Sequence, residues 1–141
     1  MDLTSLRYDD VAVGDELPPL EVPLTRTLIV ATAIASRDYQ DVHHDPELAV
    51  ERGSPDIFMN ILSTNGFVGR FVTDWTGPDG IIRSVSIRLG APNHPGDTMT
   101  LTGSVTAKTE EEGAGVVEVA VRGANRRGDH VTGTVKVALP R

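Results

Sequence analysis

The strongest constraint on the fold is a single long apolar run in the middle of this 141-residue chain. The run follows the helix-start signal Ser54-Pro55-Asp56 and comprises Ile57, Phe58, Ile61, Leu62, Phe67, Val68, Phe71 and Val72. Its spacings of three, four and one predict a helix of about five turns. Because the run is apolar around much of the helix circumference, we expect other structure to enclose this helix.

Segments of alternating apolar and polar residues follow the long run, and turn clusters separate them. We predict strands at residues 21–27, 81–89, 98–106, 116–122 and 130–138, and a short helix at 28–36. An antiparallel meander joined by hairpins can curl around one enclosed helix. The sequence therefore predicts an α+β hot-dog fold, in which a sheet of about five strands wraps one long central helix.

The length of the chain suits one domain, because 141 residues can bury one core but not two ordinary ones. We predict that residues 1–141 form a single domain, with residues 1–20 as an extended lead-in. A sheet of this kind leaves an edge strand free and covers one face of its helix poorly. Pairing with a second hot-dog protomer, and hence at least a dimer, is expected.

Charge and composition exclude several classes of function. The 13 Lys and Arg residues against 20 Asp and Glu residues give a net charge of −7, and no basic stretch could follow a phosphate backbone, so no nucleic acid partner is expected. The chain has no cysteine, which rules out disulfides and cysteine nucleophiles. Residues 1–10 lack signal-peptide features, and no apolar segment approaches the roughly 18 residues of a membrane span. We expect a cytoplasmic protein with no membrane partner.

A polar segment at residues 37–45 is the strongest candidate for a functional site. It carries three aspartates and two adjacent histidines with almost no apolar content, which is typical of a functional loop. Asp38 and His43 are close enough in sequence for a loop to bring them together, and a carboxylate and an imidazole suit proton transfer to and from water. By spacing alone, helix capping and solvent exposure explain the same residues equally well.

A resemblance to a known family rests on the run Arg37-Asp38-Tyr39-Gln40-Asp41-Val42-His43-His44-Asp45-Pro46. This run resembles the motif of the MaoC-like (R)-specific enoyl-CoA hydratases, Gly-Asp-x-Asn-Pro-x-His, which precedes a helix that opens with His-Gly. Within the family, the chain is most similar to the small subunit of the steroid side-chain hydratase of cholesterol-degrading actinobacteria. This similarity covers residues 25–137. It implies a hot-dog enzyme that adds water to the double bond of a 2-enoyl-CoA thioester.

Three positions depart from the family motif: Arg37 replaces Gly, Gln40-Asp41 replaces Asn-Pro, and Met59-Asn60 replaces His-Gly. Its Asp and His remain, so the resemblance implies that Asp38 and His43 activate water. It also implies that the backbone N–H of Asn60 stabilises the thioester oxyanion, which does not depend on the side chain. A residue larger than Gly at position 60 would reshape the acyl tunnel of a homodimer, which agrees with a heteromer that includes a second MaoC-like hot-dog chain.

Further substrate contacts are expected from the long helix. Ser63 and Asn65 could face an acyl-CoA substrate, although either could instead satisfy a backbone group. Trp75 could line the site of a bulky acyl group, although core packing is the simpler role for an aromatic residue near a helix end.

No metal ion is expected, although imidazole and carboxylate groups in the polar segment could bind one in principle. Asp45 is more simply the cap of a short helix predicted at residues 46–52. No separate cofactor is expected either, since coenzyme A would enter as part of the substrate.

Two other functions remain open at the level of sequence. A hot-dog thioesterase would use a carboxylate on or near the long helix, and Asp56 is the obvious candidate. A non-catalytic acyl-CoA-binding subunit would leave Asp38 and His43 exposed, far apart, or both.

Overall fold

The computed structural model describes residues 3–141; Met1 and Asp2, which begin the predicted lead-in, lie outside the described residues. Within that range the chain forms three α-helices and five β-strands. In chain order these are β1 (Leu20–Pro23), α1 (Arg26–Ala35), α2 (Pro46–Glu51), α3 (Ile61–Thr76), β2 (Ile81–Leu89), β3 (Thr98–Glu111), β4 (Ala114–Asn125) and β5 (Gly128–Leu139).

The strands form one antiparallel five-stranded sheet in the order β1-β3-β4-β5-β2. Consecutive hairpins join β3, β4 and β5, and β2 pairs with β5, so β1 and β2 are the edges. The long helix α3 packs against β2 and β5. The predicted α+β hot-dog fold, with a sheet around one long helix, is confirmed.

The core lies between α3 and one face of the sheet. On β4, the buried residues Val117, Val119 and Val121 are separated by the less buried Glu118 and Ala120, as expected when every second side chain of a strand points to the same face. Val68 and Val72 of α3 are fully buried in the same cluster. Each such valine contributes about 1.5–3 kcal/mol through its burial, so this layer holds α3 firmly on the sheet.

The sheet encloses only one face of α3. Val68 and Val72 are fully buried, whereas Ile61 and Leu62 at the start of the helix are each 51% exposed. The expectation of a largely enclosed helix is therefore correct for one face, and an apolar surface remains open at the N-terminal end.

No helix within residues 3–141 is long and apolar enough to cross a membrane.

The predicted start of the long helix at Ser54 is wrong, because α3 begins at Ile61. Backbone hydrogen bonds to distant parts of the chain hold the preceding residues outside the helix: Phe58 N–H donates to Val42 O at 3.1 Å, and Met59 N–H donates to Asn93 O at 3.0 Å. Asn60 then caps the helix. The apolar run is thus divided between a buried connection and a helix of about four turns.

The described part of the lead-in packs along the sheet. The N–H of Leu17 donates to Gly103 O at 3.0 Å, and Glu16 forms an isolated bridge with Ser104 of β3. Val11 and Leu17 are both buried. The segment therefore contributes side chains to the core although it is not a regular strand.

Candidate active site

Asp38 is positioned by the way α1 ends. Beyond the C-cap Ser36, the N–H of Arg37 donates to Ile34 O and the N–H of Asp38 donates to Ala33 O, both at 2.9 Å. These are the two bonds of a Schellman motif, which requires a left-handed residue at Arg37. Arg37 adopts that conformation with φ of 56°, at a steric cost that Gly would avoid. The Gly of the family motif at this position therefore has a physical explanation.

His43 lies in a single 3-10 turn, Asp41–His43, and is only 6% exposed. Its Nδ1 atom lies 2.7 Å from the carbonyl oxygen of Phe58, and the two rings meet edge to face with centroids 5.0 Å apart. Because a carbonyl oxygen only accepts hydrogen bonds, Nδ1 carries the ring hydrogen of the neutral imidazole. The Nε2 atom of the neutral ring is therefore a bare acceptor.

This bare Nε2 atom of His43 lies 3.4 Å from Oδ2 of Asp38. The side chain of Asn60 donates to the same oxygen at 3.0 Å and, together with the N–H of Gln40, holds the pKa of Asp38 below its usual value against the opposing effect of burial. An ionised carboxylate and a neutral imidazole are both acceptors, so both can receive hydrogens from one water molecule. Such a pair can bind water and take a proton from it.

Asp38 and His43 open into a pocket of ≈ 300 Å³. Its other walls come from three separate stretches of chain, and they are Phe58, Met59, Asn60, Ile61, Leu89, Gly90, Pro92 and His130. The pocket therefore lies where the polar loop, the start of α3 and the end of β2 meet.

The N-terminus of α3 borders this pocket through its N-cap residue Asn60. Within residues 3–141, no oxygen accepts a hydrogen bond from the backbone N–H of Asn60 or Ile61. Free N–H groups at a helix N-terminus favour negative charge. They are available to stabilise an oxyanion that forms beside the pair.

The other predicted contacts lie outside this pocket. Ser63 is buried and donates its N–H and its hydroxyl to Asn60 Oδ1, so it supports the helix cap. Asn65 is exposed on α3, and Trp75 lines a different pocket. Because α3 rises about 1.5 Å per residue, Trp75 lies roughly 22 Å along the helix from Asn60. The substrate contacts predicted at Asn65 and Trp75 are therefore not part of the Asp38/His43 pocket of this chain.

Two walls of the pocket, Gly90 and His130, had no predicted role. The N–H of Gly90 donates to His130 O at 2.7 Å, and only the pairing of β2 with β5 brings these residues beside the polar loop. The one available signal was an imidazole directly before Val131 in a strand with many valines. Such a position is buried, so its imidazole needs partners.

His130 has those partners. Its Nδ1 atom lies 2.7 Å from Ala91 O, and its Nε2 atom lies 2.8 Å from Thr64 Oγ1. Since Ala91 O only accepts, Nδ1 carries the hydrogen and the Thr64 hydroxyl donates to Nε2. Burial lowers the pKa of His130, and the carbonyl of Ala91 partly opposes this effect. His130 is thus held neutral between α3 and the end of β2.

Protonation of His130 is expected to destabilise the fold. Because its pKa in the folded chain lies below the ordinary value, the unfolded chain binds the proton first as pH falls, and the free energy of unfolding decreases below about pH 6.5. Above that pH His130 is neutral in both the folded and the unfolded chain, so it adds no pH dependence to the free energy of unfolding. Chemical denaturation from about pH 7.5 to about pH 5 should show a steeper decrease for the wild type than for His130→Asn. Equal slopes in the two proteins would contradict this role of His130.

Asp56, the acid that a thioesterase would use, is engaged elsewhere. Both of its oxygens accept from the guanidinium of Arg26, at 2.8 and 2.9 Å, and this contact holds the pKa of Asp56 below its usual value. Asp56 also precedes α3 and is not on it. A carboxylate bound in this way is not a free base for water.

The remaining polar residues of the loop have structural contacts. Asp41 forms an ion pair with Arg52 at 2.6 Å, Asp45 caps α2 as predicted, and His44 is exposed. Among the described residues, from position 3 onward, no group of three or more His, Asp or Glu side chains is placed to hold a metal ion.

No family model matches the chain, but individual proteins do. The 3-oxo-4,17-pregnadiene-20-carboxyl-CoA hydratase beta subunit of Mycobacterium tuberculosis is 50% identical over 127 residues, which cover 90% of this chain and 95% of that protein. A chain of the ChsH1-ChsH2 complex from the same organism is similar in structure, with a TM-score of 0.85 and 48% identity over 91% of this chain and 98% of that chain. A MaoC-like dehydratase from Rhodospirillum rubrum has a TM-score of 0.81 and 25% identity, and the match covers 96% of this chain and 97% of that one.

Proposed function

The chain belongs to the MaoC-like enoyl-CoA hydratase family, and from this premise we propose that it is the subunit that carries the water-activating pair. The reaction adds a hydroxyl group to C3 and a hydrogen to C2 of a 2-enoyl-CoA thioester. One observation carries this assignment: Asp38 Oδ2 and His43 Nε2 converge to 3.4 Å at a pocket beside a helix N-terminus.

The geometry supports a simple cycle of proton transfers. Water held by Asp38 and His43 loses a proton to the pair as its oxygen attacks C3. The negative charge moves to the thioester oxygen, where the N–H groups of Asn60 and Ile61 stabilise it. The resulting enolate takes up at C2 the proton that the pair removed. The pair returns to its starting state, so the reaction consumes only water and the enoyl thioester.

We propose a steroid side-chain enoyl-CoA as the substrate, because the M. tuberculosis relative is named as a hydratase of 3-oxo-4,17-pregnadiene-20-carboxyl-CoA. The pocket of this chain measures ≈ 300 Å³, which lies at the lower limit for sites that bind drug-sized ligands. A steroid joined to coenzyme A is larger than such ligands. The substrate must therefore contact further surface beyond this pocket.

A second MaoC-like hot-dog chain is the proposed source of that surface. The related M. tuberculosis structure is a complex of ChsH1 and ChsH2, and two features of the present chain fit a similar assembly. Ile61, which lines the pocket, and its neighbour Leu62 are each 51% exposed, and Ile81 on the edge strand β2 is 64% exposed. Exposed apolar residues beside an unpaired strand edge favour association with another protein.

Two alternatives have less support. A thioesterase needs a free carboxylate near α3, whereas Asp56 is bound to Arg26. A non-catalytic binding subunit needs no convergent pair, whereas Asp38 and His43 lie together and His43 is buried. We also propose that the reaction takes place in the cytoplasm.

Hydration of a 2-enoyl-CoA panel tests this proposal. We expect steroid side-chain substrates to be hydrated faster than short and long linear ones, and only when a second MaoC-like chain encoded in the same genome is present. Loss of enoyl-thioester absorbance should be followed with this chain alone, the partner alone and both together. No hydration of any substrate by the pair of chains would contradict the proposed activity. Hydration of linear substrates by this chain alone would support the proposed hydratase activity. It would contradict both the proposed need for a second chain and the proposed steroid substrate.

A further inference from the structure

Asn60 uses every hydrogen-bonding group of its side chain. Its Nδ2 atom donates to Ser36 Oγ at 2.9 Å and to Asp38 Oδ2 at 3.0 Å. Its Oδ1 atom accepts from the N–H of Ser63 at 3.0 Å and from the Ser63 hydroxyl. Two donated and two accepted bonds exhaust the capacity of an amide. Since Asn60 is only 2% exposed, its side chain is fixed where α1, Asp38 and α3 meet.

The surroundings of this amide allow one orientation. The N–H of Ser63 can only donate, so the amide oxygen must face Ser63 and the NH₂ group must face Ser36 and Asp38. Ser36 in turn donates its hydroxyl hydrogen to Thr32 O at 2.7 Å, which leaves its oxygen free to accept from Asn60. The carboxylate of Asp38 is therefore held by a donor whose direction is fixed by both helices.

We propose that Asn60 is a positioning residue, whose side-chain amide holds Asp38 Oδ2 opposite His43 Nε2. This inference rests on the proposed function and adds a role for the side chain of Asn60, while the oxyanion role belongs to its backbone. Because the same residue caps α3, it fixes the distance between the carboxylate that would face water and the N–H groups that would face the thioester oxygen.

The departure from the family motif at position 60 thereby gains a physical reason. The Gly of the common motif has no side chain that could reach Asp38, whereas Asn60 both caps α3 and donates to the carboxylate. This donation favours the ionised form and is the largest cause of the lowered pKa of Asp38. An ionised Asp38 remains an acceptor for water.

Two substitutions separate the donor from the helix cap. Ser and Asp cap helices about as well as Asn, but Asn60→Ser lacks the amide donor and Asn60→Asp sets a second carboxylate against Asp38. Both variants should raise the pKa of Asp38, Asn60→Asp by more, and both should lower kcat roughly tenfold to a hundredfold with little change in KM. Thr25→Ala is the matched control, because it removes the N-cap of α1, which accepts from Leu28 N–H at 3.0 Å, and touches none of these groups.

The pKa of Asp38 should be measured by carboxyl-carbon NMR titration of the assembled protein, together with kcat and KM. A raised pKa and a lowered kcat in both Asn60 variants, with Thr25→Ala like the wild type, is the expected result. No change in either variant, or equal changes in Thr25→Ala, would overturn the inference and leave Asn60 as a helix cap alone. The titration needs no turnover, so it tests Asn60 even if substitutions of Asp38 and His43 leave hydration unchanged and the proposed function fails.

Discussion

Replacing Asp38 by Asn, or His43 by Ala, is expected to lower kcat for enoyl-CoA hydration by about a hundredfold or more. The Asn side chain would bring an NH₂ donor where water needs an acceptor, and Ala would remove the bare Nε2 atom altogether. Initial rates should be measured with the assembled protein, and thermal unfolding should show that each variant folds. The neighbouring His44→Ala is the control, because His44 is exposed and should be replaceable without loss of activity.

The double variant carries a further expectation. If Asp38 and His43 hold one water molecule together, removing both should cost little more than removing either. Full activity in either single variant would refute the catalytic assignment. Additive losses in the double variant would mean that the two side chains act in separate steps and not on the same water.

Gly90→Ala is expected to damage both the fold and the pocket. An added methyl group would overlap the carbonyl oxygen of Asp129, next to the bonds from Gly90 N–H to His130 O at 2.7 Å and from Ala91 N–H to Asp129 O at 2.8 Å. Since the obstacle is backbone of β5, no side chain can move aside, and the connection after β2 must shift. Overpacking together with weakened hydrogen bonds should lower the free energy of unfolding by about 3 kcal/mol.

Gly66→Ala provides the matched control for this experiment. A methyl group at Gly66 would meet nothing within 4 Å, and Ala is favoured over Gly inside a helix such as α3 by about 1 kcal/mol. The same chemical change should therefore stabilise the chain at one position and destabilise it at the other. Urea denaturation of both variants measures this, and a Gly90→Ala protein as stable as the wild type would contradict the close packing at β5.

Local signals in the sequence predicted the elements that local chemistry controls. Asp45 and Pro46 predicted a helix at 46–52, and α2 spans Pro46–Glu51 with Asp45 as its cap. Alternation predicted a strand at 81–89, which are the bounds of β2. In both cases the determining residues are neighbours in the chain, so the pattern alone carried the information.

Elements fixed by distant contacts could not be located in this way. The start of α3 at Ile61 depends on Phe58 and Met59 donating to Val42 and Asn93, residues that no sequence window joins to them. The end of α1 was predicted to within one residue, since a helix was expected at 28–36 and α1 spans Arg26–Ala35. The Schellman motif there was not predicted, because a left-handed C′ position is normally recognised from Gly and here it is Arg37.

In the candidate site, too, residues close together in sequence could be predicted and residues joined by distant contacts could not. Asp38 and His43 share one short loop, so the motif was sufficient to propose them as a pair. Gly90 and His130 reach the pocket only through the pairing of β2 with β5, and the side-chain bond from Asn60 to Asp38 requires the two helix ends to meet. Sequence spacing reveals neither the strand pairing nor the contact between the helix ends. The prediction for Trp75 failed because Trp75 lies near the far end of α3, away from the pocket.

The most direct test of the central claim is to incubate a steroid side-chain 2-enoyl-CoA with the assembled protein in oxygen-18-labelled water and to analyse the products by mass spectrometry. We predict one labelled oxygen atom in a hydroxyl group on the acyl chain, with coenzyme A still attached, and loss of this product in Asp38→Asn. Free coenzyme A with label in a released carboxylate would identify a thioesterase, and no labelled product would identify a binding subunit. Either result would contradict the account.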